Sequence, residues 1–186
     1  MGQHDAPNDS QAVTDRLLLV GMMAVGKTTV GQMTAQRLGW AFLDSDAQLL
    51  SDTGRTAQEI FDADGDEELR ILEGRTLVEA IAQPEPMVIA VAGGVVLTEA
   101  NRTLLLRSGV VVWLRASIAT LGERVQRGGP RPRLGEDPAR SLLDLYRTRH
   151  PLYAAVAGFV IDVDDLSPEE VVARILAETG LGGVEE

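Results

Sequence analysis

At 186 residues, with 45% apolar and 24% charged side chains, the chain has the composition of a globular domain with room for one substantial core. Acids outnumber bases 28 to 17, and the net charge of −11 disfavours non-specific binding to nucleic acid or an anionic membrane. There is no cysteine, which excludes disulfides and thiolate metal sites, and His4 and His150 alone are too few for an ordinary zinc site.

The polar, acidic opening MGQHDAPNDSQAVTD has no apolar core, so no secretory signal is expected, and Ala6 breaks the myristoylation pattern that Met-Gly begins. Residues 1–15 are expected to form a flexible arm, 16–180 a single domain and 181–186 a loose tail. No apolar run approaches the ~20 residues that span a bilayer, which makes the cytoplasm the default location. A strand is expected over 16–20 (RLLLV), a helix over 27–38, a strand over 40–44 and a helix over 46–53. A helical stretch with breaks follows over 56–82, then a strand over 86–92, a helix over 98–107 and a strand over 109–115. Helices over 117–127 and 137–156, a strand over 158–163 and a last helix close the chain; Ser167 caps that helix and Pro168 opens it. Four of the five strands read as nearly continuous apolar runs, as expected of strands buried on both faces. Strand and helix in alternation imply an α/β fold, a parallel sheet of about five strands in three layers, with ligands at the carboxyl ends of the strands.

Gly21-x4-Gly26-Lys27-Thr28 follows the first strand and opens the first helix, the context that makes this pattern a phosphate-binding loop. The glycine-rich turn lets successive N–H groups face a phosphate chain, aided by the helix N-terminus. Lys27 is the one lysine in the chain, beside 16 arginines. A lysine is a compact, flexible charge that reaches the β- and γ-oxygens, which the rigid guanidinium fork does not replace. The Thr28 hydroxyl is placed for Mg²⁺.

The remaining motifs narrow the class. A GTPase needs an Asn-Lys-x-Asp motif, and no second lysine exists to make one. A motor-type ATPase shows an acid closing a later apolar strand, whereas VIAVAGG closes on glycines. The acids come earlier, in FLDSD: Asp44 and Asp46 lie two apart at a strand end and can point to one side. One carboxylate can hold Mg²⁺ through water while the other accepts a proton from a substrate hydroxyl; equally, Asp46 can be the N-cap of the next helix. Arg70 and Glu73 are helical neighbours, either a solvated ion pair or a carboxylate bracing a fork for an anionic substrate. RGGPRPRLGED is a Gly/Pro-rich, arginine-dense loop, either an ordinary solvated loop or a lid over phosphates.

These motifs, dispersed from Leu17 to about Ile175, resemble the shikimate kinase family. GMMAVGKTT looks like its phosphate loop, FLDSD like its strand-end Asp-x-Asp, and IFDADGDEELRILE like the helix bearing its substrate arginine. AGGVV is similar to its triple glycine, RPRL to its lid and RHPLY to the segment of its second substrate arginine. The resemblance implies a three-layer P-loop kinase fold with a small lid over about 124–136. It implies ATP contacts at Gly21, Ala24, Val25, Gly26, Lys27, Thr28 and Thr29, with Arg124 near the adenine and Arg131 closing from the lid onto the transferring phosphoryl group. Mg²⁺ would be held by Thr28 and, through water, by Asp44. Asp46 would bind the acceptor hydroxyl and act as base. Arg70, braced by Glu73, and Arg149 would grip the shikimate carboxylate, with Gly93 and Gly94 approaching by backbone. The expected partners are ATP and shikimate, with no nucleic acid and no membrane, and the protein is expected to be a monomer.

Three positions depart from the family pattern. Ala24 replaces a usual glycine in the phosphate loop, a change expected to be tolerated, with a cost set by whether that position needs φ > 0. Ala92 replaces the first of three glycines and is expected to narrow the substrate floor by a methyl. Arg133 stands where the lid usually carries leucine. The rival readings are a kinase for another hydroxy acid such as gluconate, a nucleoside-monophosphate kinase, and a nucleotide-binding regulatory module without catalysis.

Overall fold

The computed structural model describes residues 15–128, 134 and 137–182. The expected arm except Asp15, most of the expected lid with Arg131 and Arg133, and residues 183–186 of the tail lie outside the described residues.

Five strands, β1 (Arg16–Val20), β2 (Ala41–Asp44), β3 (Met87–Ala90), β4 (Val110–Arg115) and β5 (Phe159–Asp162), pair in the order β2-β3-β1-β4-β5, all parallel. Among the described residues seven α-helices connect or follow them: α1 (Lys27–Leu38), α2 (Ser45–Thr53), α3 (Ala57–Ile81), α4 (Glu99–Arg107), α5 (Ile118–Arg127), α6 (Pro138–Val156) and, after β5, α7 (Pro168–Thr179). α1 packs on β2, β3 and α7, while α4 and α6 pack on each other and on β4, so helices cover both faces. Among the described residues no helix is long and apolar enough to cross a membrane.

Hydrophobicity explains the layering. Leu17, Leu18 and Leu19 of β1 are fully buried, as are Val88 and Ile89 of β3 and Val112 and Leu114 of β4. Such continuous apolar runs bury both faces of a central strand. The edge strand β5 instead alternates, with Ile161 buried and Val160 and Asp162 outward. Four strands are shorter than the sequence pattern suggests: β2 and β4 lose only their first residue, whereas β3 and β5 also give up residues at their carboxyl ends to the loops that follow. Val91 still donates to the Leu19 carbonyl at 3.0 Å, after which Ala92-Gly93-Gly94 turns into a 3-10 turn at Val95–Leu97. That turn carries no pattern legible in the sequence. Ala92 is itself buried in the core, so its methyl adds to interior packing.

Helix α3 positions the site and is held at both ends. Thr56 accepts from the Glu59 N–H at 3.2 Å while Glu59 accepts from the Thr56 N–H at 2.7 Å, a complete capping box. At the far end the buried Arg16 guanidinium donates to the Gln83 carbonyl. The break expected within 56–82 lies at Gly65, whose φ of 89° and ψ of 178° interrupt the helix one turn before Arg70. Because Thr56 acts on α3 alone, Thr56→Ala should lower unfolding free energy by about 1 kcal/mol in urea titrations while leaving kcat unchanged.

Candidate active site

The phosphate loop leaves the buried end of β1 and enters α1 through Gly26, the helix N-cap, at φ 106°. Gly21, at φ 145°, lies so close to β4 that a Cβ there would meet the Leu114 carbonyl oxygen at 2.5 Å. Lys27 Nζ donates to the carbonyls of Gly21 and Met22 at 2.9 and 3.1 Å, arching its side chain back across the loop. Ala24 has φ 62°, the one positive φ of a non-glycine residue among the described residues. The condition on which its cost depended is therefore met, and an L-residue there is strained by about 1–2 kcal/mol.

Thr28 Oγ1 donates to Asp44 Oδ2 at 2.6 Å, joining the first turn of α1 to the end of β2. Asp44 Oδ1 in turn accepts from the N–H groups of Asp46 and Ala47 at 3.0 and 3.3 Å. Asp44, not Asp46, is thus the N-cap of α2. The strand rule that would set the two acids on one side does not apply, because the strand stops at Asp44 and Asp46 lies in the first helical turn. Asp46 is exposed on the same helix end, beside the capped carboxylate.

A second cluster forms where α3, α6 and the glycine turn after β3 meet. Arg70 Nη1 pairs with the buried Glu73 at 2.5 Å, and Nη2 pairs with Asp66 at 2.6 Å. The Arg70 side chain is only 11% exposed and that of Glu73 2%, so the solvated-pair reading fails. Burial works against the Arg70 charge, but Glu73 and Asp66 outweigh it and raise the pKa. A Cβ on Gly94 would overlap the Arg70 guanidinium and come within 2.7 Å of Glu73 Oε2. Glycine at 94 is therefore a steric requirement of that ion pair. At Gly93 a Cβ would lie 3.3 Å from Arg149 Nη1 and from Tyr153 Oη, and 3.4 Å from the Gly21 carbonyl. The arginine clamp and the phosphate loop are therefore neighbours.

Tyr153 was missed by the sequence reading. It lies four residues after Arg149 on α6, fully inside, and its hydroxyl donates to the Gly93 carbonyl at 2.8 Å. Burial pushes its pKa up to about 12, so at neutral pH it remains a donor. The i, i+4 spacing from Arg149 in RHPLY was the available signal. His150 packs edge-on against Trp113, ring centroids 4.7 Å apart, and anchors the same helix. Buried Nε atoms of both Arg70 and Arg149 have no acceptor among the described residues. Arg70 is offset by Glu73 and the more exposed Asp66, while Arg149 puts a second, buried guanidinium beside Gly93, a local cationic surface suited to an anion. Grooves of about 360 Å³ between α1 and α7 and about 330 Å³ between α2 and α3 are lined by none of these residues, whereas a small cavity beside the site is lined by Met22, Trp113, His150 and Tyr153.

Arg124 donates to the carbonyls of Val25 and Val163 at 3.0 and 3.1 Å. Arg131 lies outside the described residues. Thus the fold brings together Gly21, Ala24, Val25, Gly26, Lys27, Thr28, Thr29, Asp44 and Asp46 on one side, and Arg70, Gly93, Gly94 and Arg149 on the other.

A doubly covered parallel sheet with a Gly-x4-Gly-Lys-Thr turn after its central strand defines the class: an ATP-dependent small-molecule kinase of the phosphate-loop type. The chain belongs to the shikimate kinase family, whose model matches residues 23–179. A shikimate kinase of Symbiobacterium thermophilum is 42% identical over 163 residues, covering 86% of this chain and 93% of that protein. One of Ruegeria pomeroyi is 40% identical over 167 residues, 89% of this chain and 85% of the relative. The solved structure of Acinetobacter baumannii shikimate kinase in complex with shikimate superposes with a TM-score of 0.85 at 33% identity, over 94% of this chain and 97% of that one. A gluconokinase from Sinorhizobium meliloti, 21% identical with a TM-score of 0.68 over 91% and 93% of the two chains, shares the fold.

Two outcomes follow from this geometry. Ala24→Gly should relieve the left-handed strain, less the larger unfolded-state entropy of glycine, a net gain of up to about 1 kcal/mol seen as a melting temperature higher by a few degrees. Gly94→Ala should displace Arg70 and raise KM for the acid substrate at least about tenfold in steady-state assays, with KM for ATP nearly unchanged.

Proposed function

We propose that this protein transfers the γ-phosphoryl group of MgATP to the 3-hydroxyl of shikimate, giving shikimate 3-phosphate for aromatic biosynthesis. The observation that carries the reading is the pair of arginines, Arg149 buried and Arg70 largely so, whose buried Nε atoms have no acceptor among the described residues, beside a phosphate loop. A carboxylate on the acceptor can pair with these forks, and a ring hydroxyl on the same small molecule is then within reach of the phosphate site.

Each residue has a physical task in this reading. Backbone N–H groups from Gly21 to Thr29 and the start of α1 cradle the ATP phosphates, and Lys27 exchanges its loop carbonyls for β- and γ-oxygens. The hard-oxygen set of Thr28 and Asp44, whose atoms already converge at 2.6 Å, suits Mg²⁺, with Thr28 bound directly and Asp44 through water. Bound there, Mg²⁺ neutralises charge developing on the phosphates. Asp46 accepts the proton of the attacking hydroxyl from its exposed place in the first turn of α2. Tyr153 and Glu73 hold the clamp in shape. Arg124 lies beside the adenine, and Arg131 closes from a lid over about 124–136. The reading has the domain spanning 16–180, acting as a cytoplasmic monomer on small molecules, with no nucleic-acid or membrane partner.

ADP release measured with shikimate, gluconate, quinate and a nucleoside monophosphate as acceptors tests it. Shikimate should be preferred by orders of magnitude in kcat/KM; equal use of gluconate would remove the acceptor assignment. Asp46→Asn should keep MgATP affinity while lowering kcat by about a hundredfold or more. Unchanged turnover would leave Asp46 a residue of the helix start only. Arg70→Ala and Arg149→Ala should each raise KM for shikimate by about tenfold or more, the loss of one charge-assisted bond, and leave KM for ATP unchanged. Equal losses on both substrates would mark the pair as structural.

A further inference from the structure

Arg124 grips the phosphate loop from outside it. Its Nη1 donates to the Val25 carbonyl at 3.0 Å and its Nη2 to the Val163 carbonyl at 3.1 Å. The second anchor is rigid: Val163 follows β5, and its N–H donates to the Arg115 carbonyl of β4 at 2.9 Å. The helix that carries Arg124 is seated by buried Leu121 and Val125 on either side of it in sequence. One planar fork therefore bridges the fixed end of the sheet and one carbonyl of the loop, a geometry that suits two divergent acceptors.

The captured carbonyl matters because of what lies across its peptide bond. In a trans peptide the C=O and the next N–H point in opposite directions, and no described peptide is cis. Holding the Val25 carbonyl toward α5 turns the Gly26 N–H away from α5, to the mouth of α1, where unpaired N–H groups gather. The backbone's own hold here is slight, a 3.4 Å bond from the Val25 N–H to the Met22 carbonyl. Ala24 at φ 62° and Gly26 at φ 106° flank Val25, a left-handed pair that relaxes unless its surroundings fix it.

The geometry points to Arg124 as a positioning residue for phosphate capture: by tying the Val25 carbonyl to the end of β5 it presets the Gly26 N–H as a phosphate donor. This rests on the phosphate-loop reading above and adds to the adenine contact a task that needs no base at all.

Magnesium tripolyphosphate, which has the phosphates of ATP without adenosine, separates the two tasks. Inhibition constants for magnesium tripolyphosphate and adenosine, with the dissociation constant of MgATP, should be compared in wild type, Arg124→Met and Arg124→Lys. Exchange of the Gly26 amide should be followed by NMR in the same proteins without ligand. Both variants should bind tripolyphosphate about tenfold more weakly and MgATP by at least that factor, any further loss for MgATP matching the loss for adenosine. Their Gly26 amide should exchange faster while the Leu18 and Val112 amides of the core keep wild-type rates. Lysine retains the charge but cannot span two divergent carbonyls, so it should not rescue. Unaltered tripolyphosphate affinity beside weakened MgATP would confine Arg124 to the base and overturn the proposal. Rescue by lysine, or weakened phosphate binding with wild-type Gly26 exchange, would overturn it in favour of charge acting at a distance. Slow core exchange verifies that each variant is folded, and Arg124→Lys is the one to read if Arg124→Met is not. The exchange measurement contains no ligand, so it decides even if wild type binds no phosphate, a result that would instead sink the phosphate-loop reading.

Discussion

The ladder that holds β1 between β3 and β4 is the constraint on which the site depends. Parallel strands end on one edge, so the loops after β1, β2 and β3 must share that edge. Connections leave β1 and β3 toward opposite sides of the sheet, and the crevice between them receives the phosphate loop and the Gly93-Gly94 turn. Their separation is set by main-chain pairing: a Cβ at Gly93 would sit 3.4 Å from the Gly21 carbonyl. No side chain of the loop could bring about that approach alone. Ligand-free strain at Ala24 and the buried charges of the clamp are tolerated because this ladder over-determines the backbone around them.

In the proposed reaction, charge along this edge separates two sites for anions. The phosphate loop would rely on backbone N–H groups and a lysine, a flexible set suited to a phosphate chain that moves during reaction. The proposed acid clamp would rely on Arg70, held by Glu73 and Asp66 against a Gly94 that admits no Cβ, and on Arg149 beside Gly93. Rigid forks suit a planar carboxylate that stays put while its distant hydroxyl reacts. The chain as a whole is strongly acidic, so these local cations are what make the edge attractive to anions.

The buried Arg70–Glu73 pair illustrates how one residue type answers another. Desolvating a guanidinium is costly, and Glu73 offsets much of that cost because it is itself excluded from water. The guanidinium then occupies the volume that any side chain at 94 would need. A helix neighbour, an ion pair and a backbone glycine on another element are thus one structural decision.

Local chemistry made much of this legible in the sequence. Apolar runs disclosed the five strands, Ser167-Pro168 disclosed a helix start, and Gly21 to Thr28 disclosed the phosphate loop, because each depends on neighbours within a few residues. The sequence also placed Asp44 and Asp46 at a strand end and offered Asp46 as the helix cap, a place that falls to Asp44 instead. Tertiary structure decided that, since the Asp44 carboxylate is held by Thr28 from another element. Strand order, the place of Tyr153 under Gly93 and the grip of Arg124 on Val25 were likewise out of reach, joining residues 60 and 99 positions apart. Periodicity reports which face of an element is apolar; it carries no information on which distant carbonyl a buried hydroxyl or guanidinium will find. Only the packed sheet, by fixing where each strand ends, supplies those partners.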